Sequence, residues 1–320
     1  MLSMNENSGS VKINGLVKVF GKTKALDDIS FEFSSGQVHG FIGPNGAGKT
    51  TTMRILSTLD TASDGNIEVM GLSMNDSVMQ IRKIIGFVPD WFSGFDYTTV
   101  HEYLDFFARA YGLRGKKRID ALGSIEEFTG LVPLRDKLIT ELSRGMQQRV
   151  CFGRVLINEP KVMLLDEPAA NLDPRARIEL RELVKALAQG GKAVLISSHI
   201  LAELSEICDS VTIIDKGKIL AAGKIQDIKK TLRPHIVLSV KALCEEEKIE
   251  RAMLEMPGAA NPRPAGQETH VDFFGDETEL PDFLKMLIEK GIPVSEFKSR
   301  EEGLEDIFMK ITGQNGGQNK

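Results

Sequence analysis

The sequence predicts an α/β protein: a mostly parallel core sheet, an antiparallel β subdomain, an inserted helical subdomain, and a small α+β domain at the C-terminal end. Three observations lead there. Short, largely apolar segments at 37–43, 85–88, 162–165, 193–197 and 211–214 read as buried strands, and stretches with helical spacing such as 177–188 separate them, as in parallel sheets. Apolar and polar residues alternate at 11–19 and again at 29–33, the habit of half-buried antiparallel strands. After Lys229 the pattern changes, and a new alternation starts at 236–240.

Taken in order, Val11, Ile13, Val17 and Val19 form the first strand, with Gly15 at a step in the pattern, and Ile29, Phe31 and Phe33 form the second. The run 37–43 is a buried strand entering a glycine-rich turn, and 49–59 is the helix that follows it. Between Phe92 and Val155 no comparable strand occurs, while VHEYLDFFARAYGL (100–113) has helical spacing; this is the helical subdomain, about 92–155, whose outer face would receive a partner. Proline beside basic residues in KKTLRPHIV marks a linker near 230–234. The expected organisation is a disordered 1–10, a main domain 11–230, an accessory domain 235–313 and a frayed tail 314–320. In the accessory domain, helices are expected at 245–256, 280–290 and 304–311, with a proline- and glycine-rich loop at 257–267.

With 42% hydrophobic and 27% charged residues, the 320-residue chain has an ordinary globular balance, which excludes disordered and fibrous classes. The net charge of -5 is uneven: residues 235–320 hold 10 basic against 17 acidic, leaving 30 against 28 before them. Neither part has the basic excess of a nucleic-acid binder, so no nucleic-acid partner is expected. Cys151, Cys208 and Cys244 lack paired spacing, which fits a reducing cytosol. No run reaches the ~18 apolar residues of a membrane span, and the opening MLSMNENSGS lacks a secretory pattern. The protein is expected to be soluble, so that a membrane role requires a partner.

Gly43-Pro44-Asn45-Gly46-Ala47-Gly48-Lys49-Thr50 has the spacing G-x-x-x-x-G-K-T. Its glycines let backbone N–H groups curl around phosphate oxygens at a helix N-terminus, Lys49 adds a charge for the β- and γ-phosphates, and the Thr50 hydroxyl would ligate Mg²⁺. A strand before the motif and a helix after it supply its context, against the alternative of an ordinary glycine turn. At 162–168, VMLLDEP ends an apolar strand in two acids. Asp166 would hold the hydration shell of Mg²⁺, and Glu167, pointing the other way, would polarise an attacking water as general base.

Between these motifs stands Leu142-Ser143-Arg144-Gly145-Met146-Gln147-Gln148-Arg149. This resembles the signature sequence of the ATP-binding cassette (ABC) transporters, and the resemblance covers roughly 11–230. It implies a phosphate-loop NTPase cassette that binds and hydrolyses ATP with Mg²⁺, Thr51 joining Gly43 to Thr50 at the nucleotide. It further implies that Ser143, Gly145 and Gln147 act on the ATP of a second cassette, in a dimer expected to pair identical chains. Asp173, in AANLDP, resembles the D-loop residue that contacts the partner cassette. His199, in SSH, resembles the switch histidine that reaches the γ-phosphate and the catalytic acid. The other four histidines lack ligand spacing, which fits surface or satisfied core roles. Phe20 stands where the family places an aromatic that stacks on adenine; core packing is the competing reading.

Two positions depart from the family pattern. Asp90 replaces the expected Q-loop glutamine after 85–89, either as an oxygen ligand for Mg²⁺ or as part of a Pro-Asp turn. Arg144 and Met146 stand where many members have glycine and glutamine, a variation associated with separate cassette subunits of multidrug, polysaccharide or antibiotic exporters. The acidic end, with LEDIFMKITG at 304–313, resembles the extension of that branch. The expected role is an ATPase subunit on the inner face of the cell membrane, driving a separate permease, with Trp91, Phe92, Phe95 and Tyr97 offering either a contact surface or core packing. The alternative is a soluble cassette regulating translation or DNA repair; a single signature, no C-x-x-C and only about 90 residues between Thr51 and Leu142 weigh against it.

Overall fold

The computed structural model describes residues 9–300 apart from 93, 201–203, 205, 226 and 229–235. The chain divides into two compact units after Ile225.

In the first unit, β1 (Ser10–Phe20) and β2 (Thr23–Ser34) form an antiparallel pair, with Val11 opposite Phe33 and Ile13 opposite Phe31. The register shifts between Ile13 and Leu16, where Gly15 interrupts the alternation. β1 begins at the buried Ser10, inside the stretch expected to be disordered; residues 1–8 lie outside the described residues. β3 (Val38–Ile42) is wholly buried and leads to α1 (Lys49–Leu56). β4 (Asp64–Val69) and β5 (Leu72–Ser73) complete a sheet of order β2-β1-β4-β5. The sequence reading missed both: in DGNIEV only Ile67 and Val69 are buried, too few for a visible alternation.

α2 (Val78–Ile84) precedes β6 (Ile85–Val88), after which the chain leaves the sheet for the helical subdomain of α3 (Val100–Ala110), α4 (Gly115–Phe128) and α5 (Arg144–Leu156). The start of α3 is set by a capping box: Thr99 accepts from the Glu102 N–H and the Glu102 carboxylate accepts from the Thr99 N–H. Tyr103, Leu104, Leu122, Leu131 and Val150 form this subdomain's own core. Phe92 packs against that core, whereas Trp91 and Tyr97 are 64% and 89% exposed. The four aromatics thus divide between packing and surface.

The chain returns through β7 (Val162–Leu165), α6 (Pro174–Gln189), β8 (Ala193–Ser198), β9 (Ser210–Asp215) and β10 (Lys218–Lys224). The core sheet has the order β10-β9-β3-β8-β7-β6, parallel except for β10, whose half-exposed residues carried no apolar run. Phe31 stacks on Phe41 at 5.0 Å where the two sheets share one core. The register places Ile42 beside Ser198, Ile196 beside Leu165 and Leu165 beside Val88, so four neighbouring strands end together. Their carboxyl ends are where parallel sheets build sites.

The second unit runs β11 (Ile236–Ala242), α7 (Glu246–Leu254), β12 (Ala259–Ala265), β13 (Glu268–Phe273), α8 (Leu280–Glu289) and β14 (Val294–Arg300). Its sheet is antiparallel, in the order β12-β13-β11-β14, the connectivity of a ferredoxin-like βαββαβ unit. Leu238, Val240, Val271 and Phe273 pack against Met253 and Phe283 of the helices. The loop expected at 257–267 is largely strand β12. Its Pro262 and Pro264 are tolerated because β12 is an edge strand, where a missing N–H breaks no inner ladder. The linker at 230–234, the helix expected at 304–311 and the tail 314–320 lie outside the described residues.

Candidate active site

The loop between β3 and α1 owes its shape to two glycines. A Cβ on Gly43 would lie 2.2 Å from the Ile214 carbonyl oxygen, and Gly48 has φ 113 besides a 2.6 Å approach to Leu26. Gly48 is the N-cap of α1 and has no side chain to satisfy the first N–H groups, which stay available to an anion. Ala47 packs in the core, and the Gly43 and Pro44 carbonyls accept from Lys49 Nζ at 2.7 and 3.2 Å. The buried Lys49 ammonium thereby stays at the mouth of the loop, 3.2 Å from Glu167 Oε1.

Asp166 leaves β7 and is 1% exposed. Burial raises its pKa above the ordinary carboxylate value; hydrogen bonds from Ser197 and Thr50 oppose this, and the charges of Asp90 and Glu167 add to it. A cation placed opposite would reverse the balance. Glu167, one residue on, has φ 46, a left-handed turn at the strand end, and its carboxylate meets Lys49 and His199. Ser197 Oγ ties the two acids together, accepting the Glu167 N–H at 2.9 Å and donating to Asp166 Oδ1 at 2.7 Å. His199 follows β8 and places Nδ1 2.7 Å from Glu167 Oε2.

Lys49, Glu167 and His199 face a cleft of about 350 Å³. Of the residues named from sequence, Asn45, Gly46, Gly48, Lys49, Thr50, Thr51, Asp90, Glu167 and His199 line it. Ala25, Arg144, Ala170 and Asn171 line it too and were not named as site residues; Arg144 carried a signal, standing out as a departure from the signature. Ser197 was equally unnamed, since serine at a strand end is common.

Gly43, Pro44, Ala47 and Asp166, close in sequence to residues that line the cleft, are not in that lining, nor are Ser143, Gly145, Gln147, Asp173 and Phe20. Ser143 caps α5 by accepting from the Met146 N–H, and Asp173 caps α6 by accepting from the Ala176 N–H. Gly145 lies where α5 meets α6, its hydrogen aimed at Ala176, and Gln147 follows in α5. Phe20 is 50% exposed at the end of β1 under the Lys18 ammonium, which rules out the core-packing reading. Among the described residues, no group of three or more histidine, cysteine, aspartate or glutamate side chains could hold a metal ion.

Residues 26–170 match the family model for the ABC transporter. The chain is 33% identical to the uncharacterized ABC transporter ATP-binding protein YxlF of Bacillus subtilis, across 94% of this chain and 99% of that protein. It is 30% identical to the Nod factor export ATP-binding protein I of Cupriavidus metallidurans, across 95% and 97%. Among solved structures, it resembles CbiO1 from Clostridium perfringens, part of the ABC transporter complex CbiONQ, with a TM-score of 0.63 and 27% identity over 70% of this chain and 92% of that one. The sequence likeness thus runs nearly end to end, and the structural likeness spans a nucleotide fold whose phosphate loop and Glu167 share one cleft: the chain belongs to the ABC transporter ATP-binding proteins and hydrolyses ATP.

Proposed function

We propose that this ATPase drives export through a membrane permease, as one of two identical cassettes on the inner face of the cell membrane. A permease partner follows from its place among ABC transporter ATP-binding proteins. Among the described residues no helix is long and apolar enough to cross a membrane, so a span must come from elsewhere. The export direction is carried by the likeness to a protein named for Nod factor export, and the exposed Trp91 and Tyr97 give the permease an aromatic contact surface.

In this reading the phosphates lie on the first turn of α1, with Lys49 at the β- and γ-phosphates and Gly43 to Thr51 around them. Phe20 is exposed and open to stacking on adenine. Oxygen donors from Thr50, Asp166 and Asp90 suit Mg²⁺, which takes one or two carboxylates and completes its shell from phosphates and water. These residues would hold Mg²⁺, which would supply positive charge to offset that of the phosphates. Glu167 accepts the proton of the attacking water, and His199, hydrogen-bonded to it, fixes the carboxylate. Ser143, Gly145, Gln147 and Asp173 lie outside their own chain's cleft, which supports their service to the ATP of the second copy.

Glu167→Gln protein, held with ATP and Mg²⁺ in its native host and extracted in mild detergent, tests the proposal. Recovery of a multi-span membrane protein in defined ratio, with two copies of the 35.3 kDa chain, is the expected result. Recovery of ribosomes, DNA complexes or only soluble partners would sink it in favour of the regulatory alternative.

A further inference from the structure

The two departures from the family pattern meet in space. Arg144 Nη2 donates to the backbone carbonyl oxygen of Asp90 at 3.2 Å, and both side chains line the nucleotide cleft. Glycine at 144 would have no side chain to reach this carbonyl, whereas glutamine at 90 would offer the same carbonyl without the negative charge.

The charges explain why the replacements belong together. Asp90 follows β6, the neighbour of the strand that ends in Asp166, and its negative charge is felt at Asp166. Asp90, Asp166 and Glu167 thus put three acidic residues at the carboxyl ends of the neighbouring strands β6 and β7, where phosphates would add more negative charge. The cleft lining holds one lysine and one arginine, Lys49 and Arg144. Lys49 is engaged by Gly43, Pro44 and Glu167, which leaves Arg144 as the cation on the Asp90 side. Because it binds the Asp90 carbonyl, the main chain at Asp90 is held while the carboxylate stays free to face the metal and the phosphates.

We propose that Arg144 is a positioning residue for the nucleotide of its own chain, holding Asp90 and offsetting its charge, so that the two replacements act as one unit. The signature helix is thereby tied to the cleft of the chain it belongs to, besides any service to a second copy. The proposal rests on the reading of the cleft as a Mg²⁺-ATP site. Arg144 is exposed and solvent screens its charge, so the effect is about that of one charge-assisted hydrogen bond, roughly tenfold in affinity.

The test is a double-mutant cycle on the full chain: wild type, Asp90→Gln, Arg144→Ala and the double variant, each titrated with Mg²⁺-ATP by calorimetry. Arg144→Ala is expected to weaken binding roughly tenfold in the native background and by a smaller factor, about threefold, in the Asp90→Gln background, which keeps the main-chain hydrogen bond and removes the charge that Arg144 offsets. Equal penalties in both backgrounds overturn the proposal. Trp91, the single tryptophan, adjoins Asp90 and gives a second readout before nucleotide is added. Its emission should shift in Arg144→Ala and move back toward wild type in Arg144→Lys; unchanged emission in Arg144→Ala overturns the tie to Asp90. Wild-type protein that takes up no Mg²⁺-ATP sinks the nucleotide reading itself, whereas wild-type binding with additive variants sinks the coupling alone.

Discussion

His199 Nδ1 and Glu167 Oε2 are 2.7 Å apart, and the second oxygen of the same carboxylate is 3.2 Å from Lys49 Nζ. One acid, after β7, is thus held from two sides by groups that arrive on two other segments, after β3 and β8. Its left-handed backbone makes this possible, since an extended Glu167 would continue the strand.

Hydrolysis depends on that carboxylate. Glu167→Gln keeps the shape and loses the base, so steady-state phosphate release should fall by at least about 100-fold while ATP affinity changes little. His199→Ala should lower turnover by a smaller factor, because it removes the group that orients the acid. Undiminished turnover in Glu167→Gln would reject the role.

Ser197 should matter to both stability and rate. Its hydroxyl is buried and occupied twice, by the Glu167 N–H and by Asp166. Ser197→Ala leaves that N–H without its partner, at an expected cost of about 1–3 kcal/mol in denaturant unfolding. Ser197→Thr, which keeps the hydroxyl, should recover most of the loss. Equal stability of the alanine variant would show that water replaces the serine.

Gly145 carries a structural demand that a plain substitution would confuse with chemistry. A Cβ there would come 2.8 Å from Ala176 Cβ, so Gly145→Ala should destabilise the α5–α6 contact by about 1–3 kcal/mol. Adding Ala176→Gly makes room, and thermal melts should show stability restored. ATPase activity should stay low in the double variant if the signature glycine also gives a bound phosphate close access to backbone N–H groups. Full recovery of activity would assign Gly145 to packing alone.

His39 predicts a pH dependence. It is buried in the core, beside Phe31 and Phe33, with Ser210 and Thr212 on its two nitrogens, and burial lowers its pKa to about 4. The folded value lies below the unfolded one of about 6.5. Its contribution is therefore complete above pH 6.5 or so and is lost as pH falls toward about 4, by up to roughly 3 kcal/mol. Urea titrations across that window should show the decline, and His39→Gln should flatten it.

The strands that build the site were legible because burial on both faces demands unbroken apolar runs: 85–88 and 162–165 coincide with β6 and β7. Strands that bury little were not. β4 holds two core residues, β10 is half exposed, and β12 hides behind two prolines that only its edge position permits. The phosphate loop was legible for a similar reason, since close backbone approach admits only glycine at Gly43 and Gly48.

By itself, then, the sequence determined the local chemistry of this protein: the phosphate loop, the acid pair at a strand end, and the family to which they and the signature point. These are demands that a few neighbouring residues meet alone. Tertiary structure decided which of them share a cleft. Strand order set β3, β8, β7 and β6 side by side and so brought His199 to Glu167 and Ser197 to both acids, while the packing of α5 against β6 brought Arg144 to Asp90 across 54 positions. Contacts between distant segments depend on register and on the packing of whole elements, and no local spacing records them.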